Sequence, residues 1–204
     1  MADDTDDDVQ VSIAASNTAQ LRTKYFASRH YQAVDVFPVA LAVAASAMTR
    51  PANTTAYTAG DAVSNNATAG SVTPISFTLA DENDAPVQIQ RCRIASTDTG
   101  VAGKTFRVYL YQSDPSSSTG IVGGDNAAFS TKQGTFIGVM EGVFRTFSDG
   151  SVAVCTPVEG QVITTKPTSG AKTVFALLQT LDAFTPSANS TTFTLTLEAV
   201  QGRP

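Results

Sequence analysis

Apolar residues along most of the chain recur at every second position, which is the period of a half-buried β-strand. From about residue 36, Phe37, Val39, Leu41 and Val43 alternate with small residues, and Pro38 restricts this segment to a sheet edge or a strand start. The same alternation predicts four later strands, at residues 75–79, 106–110, 174–178 and 193–199.

Turn chemistry separates these segments. Asp149-Gly150 lies between two apolar runs and predicts a hairpin whose two central residues have positive φ. Further breaks are predicted at residues 81–84, 114–124 and 167–170. About eight to ten strands and no helical period after residue 50 predict an all-β fold, a β-sandwich or jelly roll over residues 36–204.

The first 35 residues have a different composition and are predicted to form an N-terminal arm. The first eight residues contain five aspartates, which repel one another and predict a disordered acidic tip: Asp3, Asp4, Asp6, Asp7 and Asp8. A short helix is predicted within residues 17–34, since Asn17 and Gln20 have the spacing of a capping box.

Charge is confined largely to this acidic tip. The chain has 204 residues and a formal net charge of −5, and outside the tip its acidic residues match its 13 basic ones in number. A neutral body predicts no nucleic-acid partner and no polybasic membrane contact. The acidic N-terminus predicts no secretory signal, and the apolar run at residues 36–48 is too short to span a bilayer.

Residues able to perform catalysis are few and unclustered in the sequence. The single histidine, His30, lies in the arm. Glu141 and Glu159 are candidates for the paired carboxylates of a glycoside hydrolase, but no sequence feature distinguishes them from solvated surface glutamates. The acidic turn at residues 81–84 does not have the spacing of a calcium loop, and Gly120, Gly123 and Gly124 lack a P-loop context. We therefore expect no enzymatic activity, no metal and no cofactor.

Two cysteines, Cys92 and Cys155, form no zinc-binding pattern. Two buried thiols are one interpretation of the pair. A disulfide within one chain or between two chains remains the other.

The outward positions of the predicted strands are mostly Ser, Thr and Ala rather than Lys and Glu. Free monomers usually protect their sheets with charge, so these faces are predicted to be covered by neighbouring molecules, although the high β propensity of Thr is an alternative explanation. The arm mixes aromatic and basic residues that anchor protein interfaces, and these are the candidate interface residues: Arg22, Lys24, Tyr25, Phe26, Arg29 and Tyr31. The alternative is a helix that packs on its own β domain.

Three strings carry a family resemblance: residues 50–63 (RPANTTAYTAGDAV), residues 125–129 (DNAAF) and residues 184–186 (FTP). The set resembles small β-sandwich virion proteins of tailed bacteriophages, which are similar to head decoration or cement proteins. The resemblance covers roughly residues 36–200 and brings no catalytic residues. It implies a non-enzymatic protein on the head exterior whose partners are the major capsid protein and copies of itself, with a trimer expected by analogy with capsid threefold geometry.

An alternative function belongs to another class. The chain could be a receptor- or glycan-binding module of a phage fibre or tail, because jelly rolls perform both roles. Recognition would then use Tyr109, Tyr111 and the loop at residues 113–126.

Overall fold

A computed structural model describes residues 25–26, 29–30, 40–116, 122–130 and 135–201. The chain divides into two units, Met1–Pro38 and Val39–Pro204. The described residues contain no helix, so the predicted all-β class is confirmed. The strands of the second unit are β3 (Ala40–Thr49), β4 (Ala62–Val63), β5 (Ile75–Thr78), β6 (Val87–Ser96), β7 (Thr105–Tyr111), β8 (Phe136–Val143), β9 (Arg145–Phe147), β10 (Gly150–Pro157), β11 (Ile163–Thr165), β12 (Thr173–Thr180) and β13 (Thr192–Gln201).

The first unit contains two short antiparallel strands, β1 (Tyr25–Phe26) and β2 (Arg29–His30). The helix predicted within residues 17–34 is therefore wrong at these four positions, where aromatic residues of high β propensity are extended. The rest of that prediction, including the acidic tip and the Asn17–Gln20 capping box, lies outside the described residues.

The second unit forms one curled antiparallel sheet of eleven strands. Its main path is β3-β13-β6-β10-β8-β7-β12-β4, with β5 paired to β12, β9 to β10 and β11 to β6. Strand β10 joins the two halves of the path, because residues 151–155 pair with β6 whereas Thr156 and Pro157 pair with β8. The strands form one continuous sheet, and the finer prediction of a sandwich or jelly roll stays a prediction.

The main hydrophobic core lies on the concave side of the curled sheet. Alternate residues of β7, β12 and β13 enter it as the sequence predicts, among them Phe106, Val108, Leu178 and Phe193. Strands from both ends of the path contribute, since Met48 of β3 and Val63 of β4 belong to the same cluster. Burial of these side chains is the main stabilising contribution to the fold.

A smaller second core lies on the opposite face of the β7–β12 half. Tyr111 and Leu177 pack there against Val72 and Val122, which come from the loops that follow β4 and β7. At Leu177 and Leu178, β12 is consequently buried on both faces.

The hairpin predicted at Asp149-Gly150 is confirmed, but its turn lies one residue earlier. Phe147 pairs with Gly150, so Ser148 and Asp149 form the two-residue connection. Only Gly150 has positive φ, at 152°, and Asp149 does not. A side chain at Gly150 would place its Cβ 2.3 Å from the Ser96 carbonyl oxygen, so close approach to β6 requires glycine there.

Candidate interaction surface

The candidate interface residues of the arm are described only in part. Tyr25 pairs with His30, and Phe26 pairs with Arg29, in the β1–β2 ladder. Arg22, Lys24 and Tyr31 lie outside the described residues. Docking by this arm stays a prediction.

The convex face of strands β3, β13, β6 and β10, here named the outer sheet face, is lined by small uncharged side chains. Register aligns Ala47, Thr194, Ala95 and Val152 in one row across the four strands. Large apolar residues of this face are also exposed: Leu41 at 67%, Val43 at 54% and Val154 at 51%. These outward positions have the composition that the sequence indicates, and charge is confined to strands β6 and β13.

The four strands of the outer sheet face contain only three charged residues, Arg91, Arg93 and Glu198. Glu198 accepts hydrogen bonds from Nε of both arginines, with an N–O distance of 2.7 Å for Arg93. These bonds, that of Arg91 above all, lower the pKa of the Glu198 carboxyl. Arg91 lies directly opposite Glu198, and Arg93 lies two positions along on the same face, so strand alternation brings both arginines beside the acid. Two arginines share one carboxylate, so the charged side chains of these four strands sum to +1, and both arginines are about half exposed.

Two open grooves border the sheet. One, of about 430 Å³, runs beside the second half of β3 and is lined by Ser46, Met48, Asn65, Thr73 and Ile75, among others. The other, of about 480 Å³, lies over β7 and β8 beneath the segment after β10.

The tyrosines assigned to glycan recognition are not exposed platforms. Tyr111 is completely buried in the second core, so its predicted role is wrong. Tyr109 is half-buried and stacks on Phe129, with ring centroids 4.4 Å apart. Its hydroxyl donates to Gln179 Oε1 at 3.0 Å. Of the predicted recognition loop, residues 117–121 lie outside the described part of the chain.

Residues weighed for catalysis or metal binding have structural partners or lie apart. Glu141 forms an ion pair with Arg107 across β7 and β8, whereas Glu159 is exposed after β10. The Asp84 carboxylate accepts a hydrogen bond from the Gly170 amide at 3.1 Å, which joins two turns. No cluster of three or more metal-ligating side chains occurs among the residues that the structure describes.

The loop glycines contact neighbouring backbone. A Cβ at Gly124 would lie 2.2 Å from the Ala67 carbonyl oxygen, and one at Gly123 would lie 3.0 Å from that of Ala128. Gly123 and Gly124 therefore permit close packing of two loops.

A buried polar network lies beneath the loops at one end of the sheet. The side chains of Arg50 and Asp125 are completely buried and form an ion pair with an N–O distance of 3.3 Å. The Tyr57 hydroxyl donates to Asp125 Oδ1 at 2.5 Å and accepts a hydrogen bond from Arg50 Nε. The Ser64 amide donates to the same Oδ1 at 2.9 Å. Burial, and then the negative charge of Asp125, raise the pKa of Tyr57 well above its ordinary value.

The network continues into the loop before β13. Arg50 Nη1 donates to Thr191 Oγ1 at 3.4 Å, and Thr191 Oγ1 donates to Asp98 Oδ2 at 3.3 Å. Asp98 Oδ1 accepts from the Ser187 hydroxyl at 2.7 Å and from the Ser187 amide at 2.9 Å. Two buried carboxylates therefore hold loops that are far apart in the sequence.

The three strings that carry the family resemblance meet in this network. Tyr57 forms a β-bridge with Phe184 and stacks on its ring at a centroid distance of 4.5 Å. Asp61 forms a second bridge, with Ala128. Sequence reasoning did not identify the network, because a buried arginine has no periodic signal; the recurrence of polar residues within the three strings was the available indication.

The two cysteines are free and buried, and they face each other directly across β6 and β10. Burial raises the pKa of Cys92 well above its ordinary value and raises that of Cys155 to about 12. The interpretation as two buried thiols is the one that this arrangement matches.

Among the described residues, no helix has the length and apolar character needed to cross a membrane. Comparison with models of known protein families finds none that matches the chain, and comparison with curated proteins finds no significantly similar sequence.

Proposed function

We propose that this chain is a non-enzymatic structural protein that binds and stabilises the outside of a tailed-bacteriophage capsid. The observation that carries the proposal is the outer sheet face, on which Leu41, Val43 and Val154 are exposed and charge is limited to the Arg91, Arg93 and Glu198 cluster. Small hydroxyl and methyl groups lose less hydration free energy on contact than charged groups do. Such a face favours broad contact with a protein shell rather than capture of a small polar ligand.

The buried network supports the same role, because a stabilising protein must present its contact surface without rearrangement. Arg50, Tyr57 and Asp125 connect three loops through buried hydrogen bonds and one ion pair. Fully satisfied buried polar networks make a fold rigid. By this hypothesis the three strings provide rigidity, and the contacts with the shell are made elsewhere.

Attachment is proposed to involve the arm as well as the sheet. By this hypothesis residues 22–36, including Arg22, Lys24, Tyr25, Phe26, Arg29 and Tyr31, bind the major capsid protein or a neighbouring copy. A segment that becomes ordered on binding extends the reach of a small protein at an entropic cost.

Deletion of residues 1–35 should abolish capsid binding and leave the thermal melting of the β unit unchanged, because the core lies wholly within the second unit. Deletion of residues 1–15 is the matched control, since it removes the acidic tip and keeps the candidate interface residues; it should bind normally. Binding is measured by co-sedimentation with capsids that lack the protein. Equal capsid occupancy by the chain without residues 1–35 would contradict the role of the arm.

Immunogold electron microscopy of the parent particle tests the location. Gold distributed over the head is the expected result and supports a decoration protein. Gold at the neck or tail tip would favour a connector or a receptor-binding module. A particle without gold, with the protein clearly expressed, would overturn the exterior location, because the chain would then be internal or not part of the virion.

A further inference from the structure

The outer edge of β3 has no hydrogen-bonded strand partner among the described residues, and β5 lies near its second half. Strand β3 pairs with β13 on one side, and no described strand pairs with its other side. The Arg50 amide donates to the Thr191 carbonyl at 3.0 Å, which makes this pair a hydrogen-bonded one. Because such pairs alternate along an antiparallel ladder, the even-numbered residues of β3 bond to β13. The backbone groups that point away from β13 belong to Leu41, Val43, Ala45, Ala47 and Thr49.

This edge lacks the features that normally prevent strands from associating. Natural edges are protected by lysine, proline, bulges or short length. Strand β3 has ten residues, without an ionisable side chain, a proline or a break in its register with β13. Addition of a strand to such an edge is a common mode of protein recognition.

We propose that the β3 edge pairs antiparallel with β3 of a second copy, across a two-fold axis at Ala45. Both strands can form hydrogen bonds only if odd-numbered residues face odd-numbered residues, and centring on Ala45 meets this condition. Leu41 then lies opposite Thr49, Val43 opposite Ala47 and Ala45 opposite its own copy. Five pairs result, and each exchanges two hydrogen bonds.

Side-chain volume favours a second copy as the occupant. In this register each large side chain lies opposite a small one: Leu41 and Val43 lie opposite Thr49 and Ala47, and Ala42 lies opposite Met48 on the other face. The exposed fractions of Leu41 and Val43, 67% and 54%, would fall as neighbouring strands cover them. An edge without charge also meets an identical edge without repulsion.

Across the second half of β3, an open groove separates the edge from residues 73–76 of the same chain. The groove of about 430 Å³ beside Ser46, Met48 and Thr49 is open along the second half of β3. The antiparallel register brings the first residues of the partner strand to this half.

The pairing predicts a dimer that depends on protein concentration. One pair of edge strands is expected to bury less than the roughly 800 Å² per partner of a standard interface. The inference rests on the part of the proposed function that assigns copies of the chain as partners. A chain that decorates capsids but stays monomeric in solution would overturn the edge pairing and leave the capsid role intact.

Sedimentation velocity over a wide range of concentration tests the proposal. The unaltered chain should show a monomer–dimer equilibrium. Ala45→Pro removes the N–H at the two-fold axis, a position where an edge strand tolerates proline, and should weaken the dimer at least about tenfold. Ala45→Ser, which keeps the N–H, is the matched control and should behave like the unaltered chain. Circular dichroism checks that each variant is folded.

A crosslink gives a second measurement that does not depend on a disruptive variant. Ala45→Cys places two thiols opposite each other across the axis, so a reducible dimer should form under mild oxidation, while Cys92 and Cys155 remain buried. A monomer at every concentration, a trimer, or a dimer that Ala45→Pro leaves unchanged would overturn the proposal.

Discussion

Asp125 is the acceptor on which the buried network depends. One of its carboxylate oxygens accepts from Tyr57 and Ser64, and the other accepts from Arg50. The Arg50 guanidinium also lies over the Tyr57 ring, 4.7 Å from its centroid. A buried ion pair of this kind is costly to break from one side, because the remaining charge stays without water.

Asp125→Asn should destabilise the fold by about 3–5 kcal/mol, because it leaves the Arg50 charge buried and uncompensated. Urea denaturation followed by circular dichroism measures the loss. Glu159→Gln also removes one carboxylate charge, but at an exposed position, and should change the free energy of unfolding by no more than about 0.5 kcal/mol. Equal midpoints for the two variants would show that the network contributes little.

The thiols of Cys92 and Cys155 should be unreactive in the folded chain. Both are completely buried, and their raised pKa values keep them protonated at neutral pH. An aromatic disulfide reagent at pH 8 should modify neither thiol in the native protein and both in urea. Modification of one thiol in the native state would mean that β6 and β10 separate readily. Failure to modify either thiol in urea without reductant would mean that they form a disulfide.

At the scale of the element, strands with strict alternation could be predicted and irregular ones could not. Strands β5, β7, β12 and β13 occur where the period of two appears. Strand β6 has no such period. A bulge opposite Glu198 and Ala199 inserts one extra residue, so Ile89 and Cys92 are both buried although they are three positions apart. Strand β8 is obscured by two glycines. The buried Arg50 could not be predicted, since a charged residue is assigned to the surface unless its partner is known.

The glycines of β8 differ in what surrounds them, and this difference gives a prediction. A Cβ at Gly142 would lie 2.6 Å from the Val154 carbonyl oxygen, which is backbone, whereas one at Gly138 would lie 2.7 Å from Ile163 Cδ1, which is a side-chain end. Gly142→Ala should therefore cost about 1–3 kcal/mol that no side-chain change recovers. Gly138→Ala should be rescued only in part by Ile163→Val, which deletes that Cδ1 but keeps Cγ1, 2.8 Å from the added Cβ.

Thermal and urea denaturation of Gly138→Ala, Ile163→Val and the double variant measure the coupling. The double variant should be more stable than the sum of the two single losses predicts. If the two losses of stability simply add, the contact between Gly138→Ala and Ile163 is relieved by a movement of β11 away from β8 that costs no free energy.

At the scale of the whole molecule, stability should be greatest between about pH 5 and pH 8. The hydrogen bond from Arg91 lowers the pKa of Glu198, and the amide of Thr105 lowers that of Asp182. Their contribution to the free energy of unfolding is therefore present above the unfolded pKa and is lost as the pH falls through the folded pKa. Burial raises the pKa values of three further groups, Cys92, Cys155 and Tyr57. Their contribution to the free energy of unfolding is complete below the unfolded pKa and is lost as the pH rises toward the folded pKa.

The alkaline decline gives the sharper test. The unfolded Cys155 thiol releases its proton near pH 9, while the folded one does so near pH 12, so the urea midpoint should fall progressively through this range. Cys155→Ala lowers stability at every pH by creating a cavity, but it should make the alkaline decline shallower. An equally steep decline in this variant would exclude the thiol as a cause.

The pairing of β3 with β13 joins the first and last strands of the β unit, and this has a consequence for folding. Ala40 lies opposite Gln201, so this contact closes a loop of almost the whole unit. During synthesis β3 and β6 must both wait for residues 192–201 before the strand that separates them exists. Such non-local pairing slows folding, and two unprotected edges remain available to other nascent chains until it is complete. The rate of productive folding should therefore depend on how crowded the growing chains are.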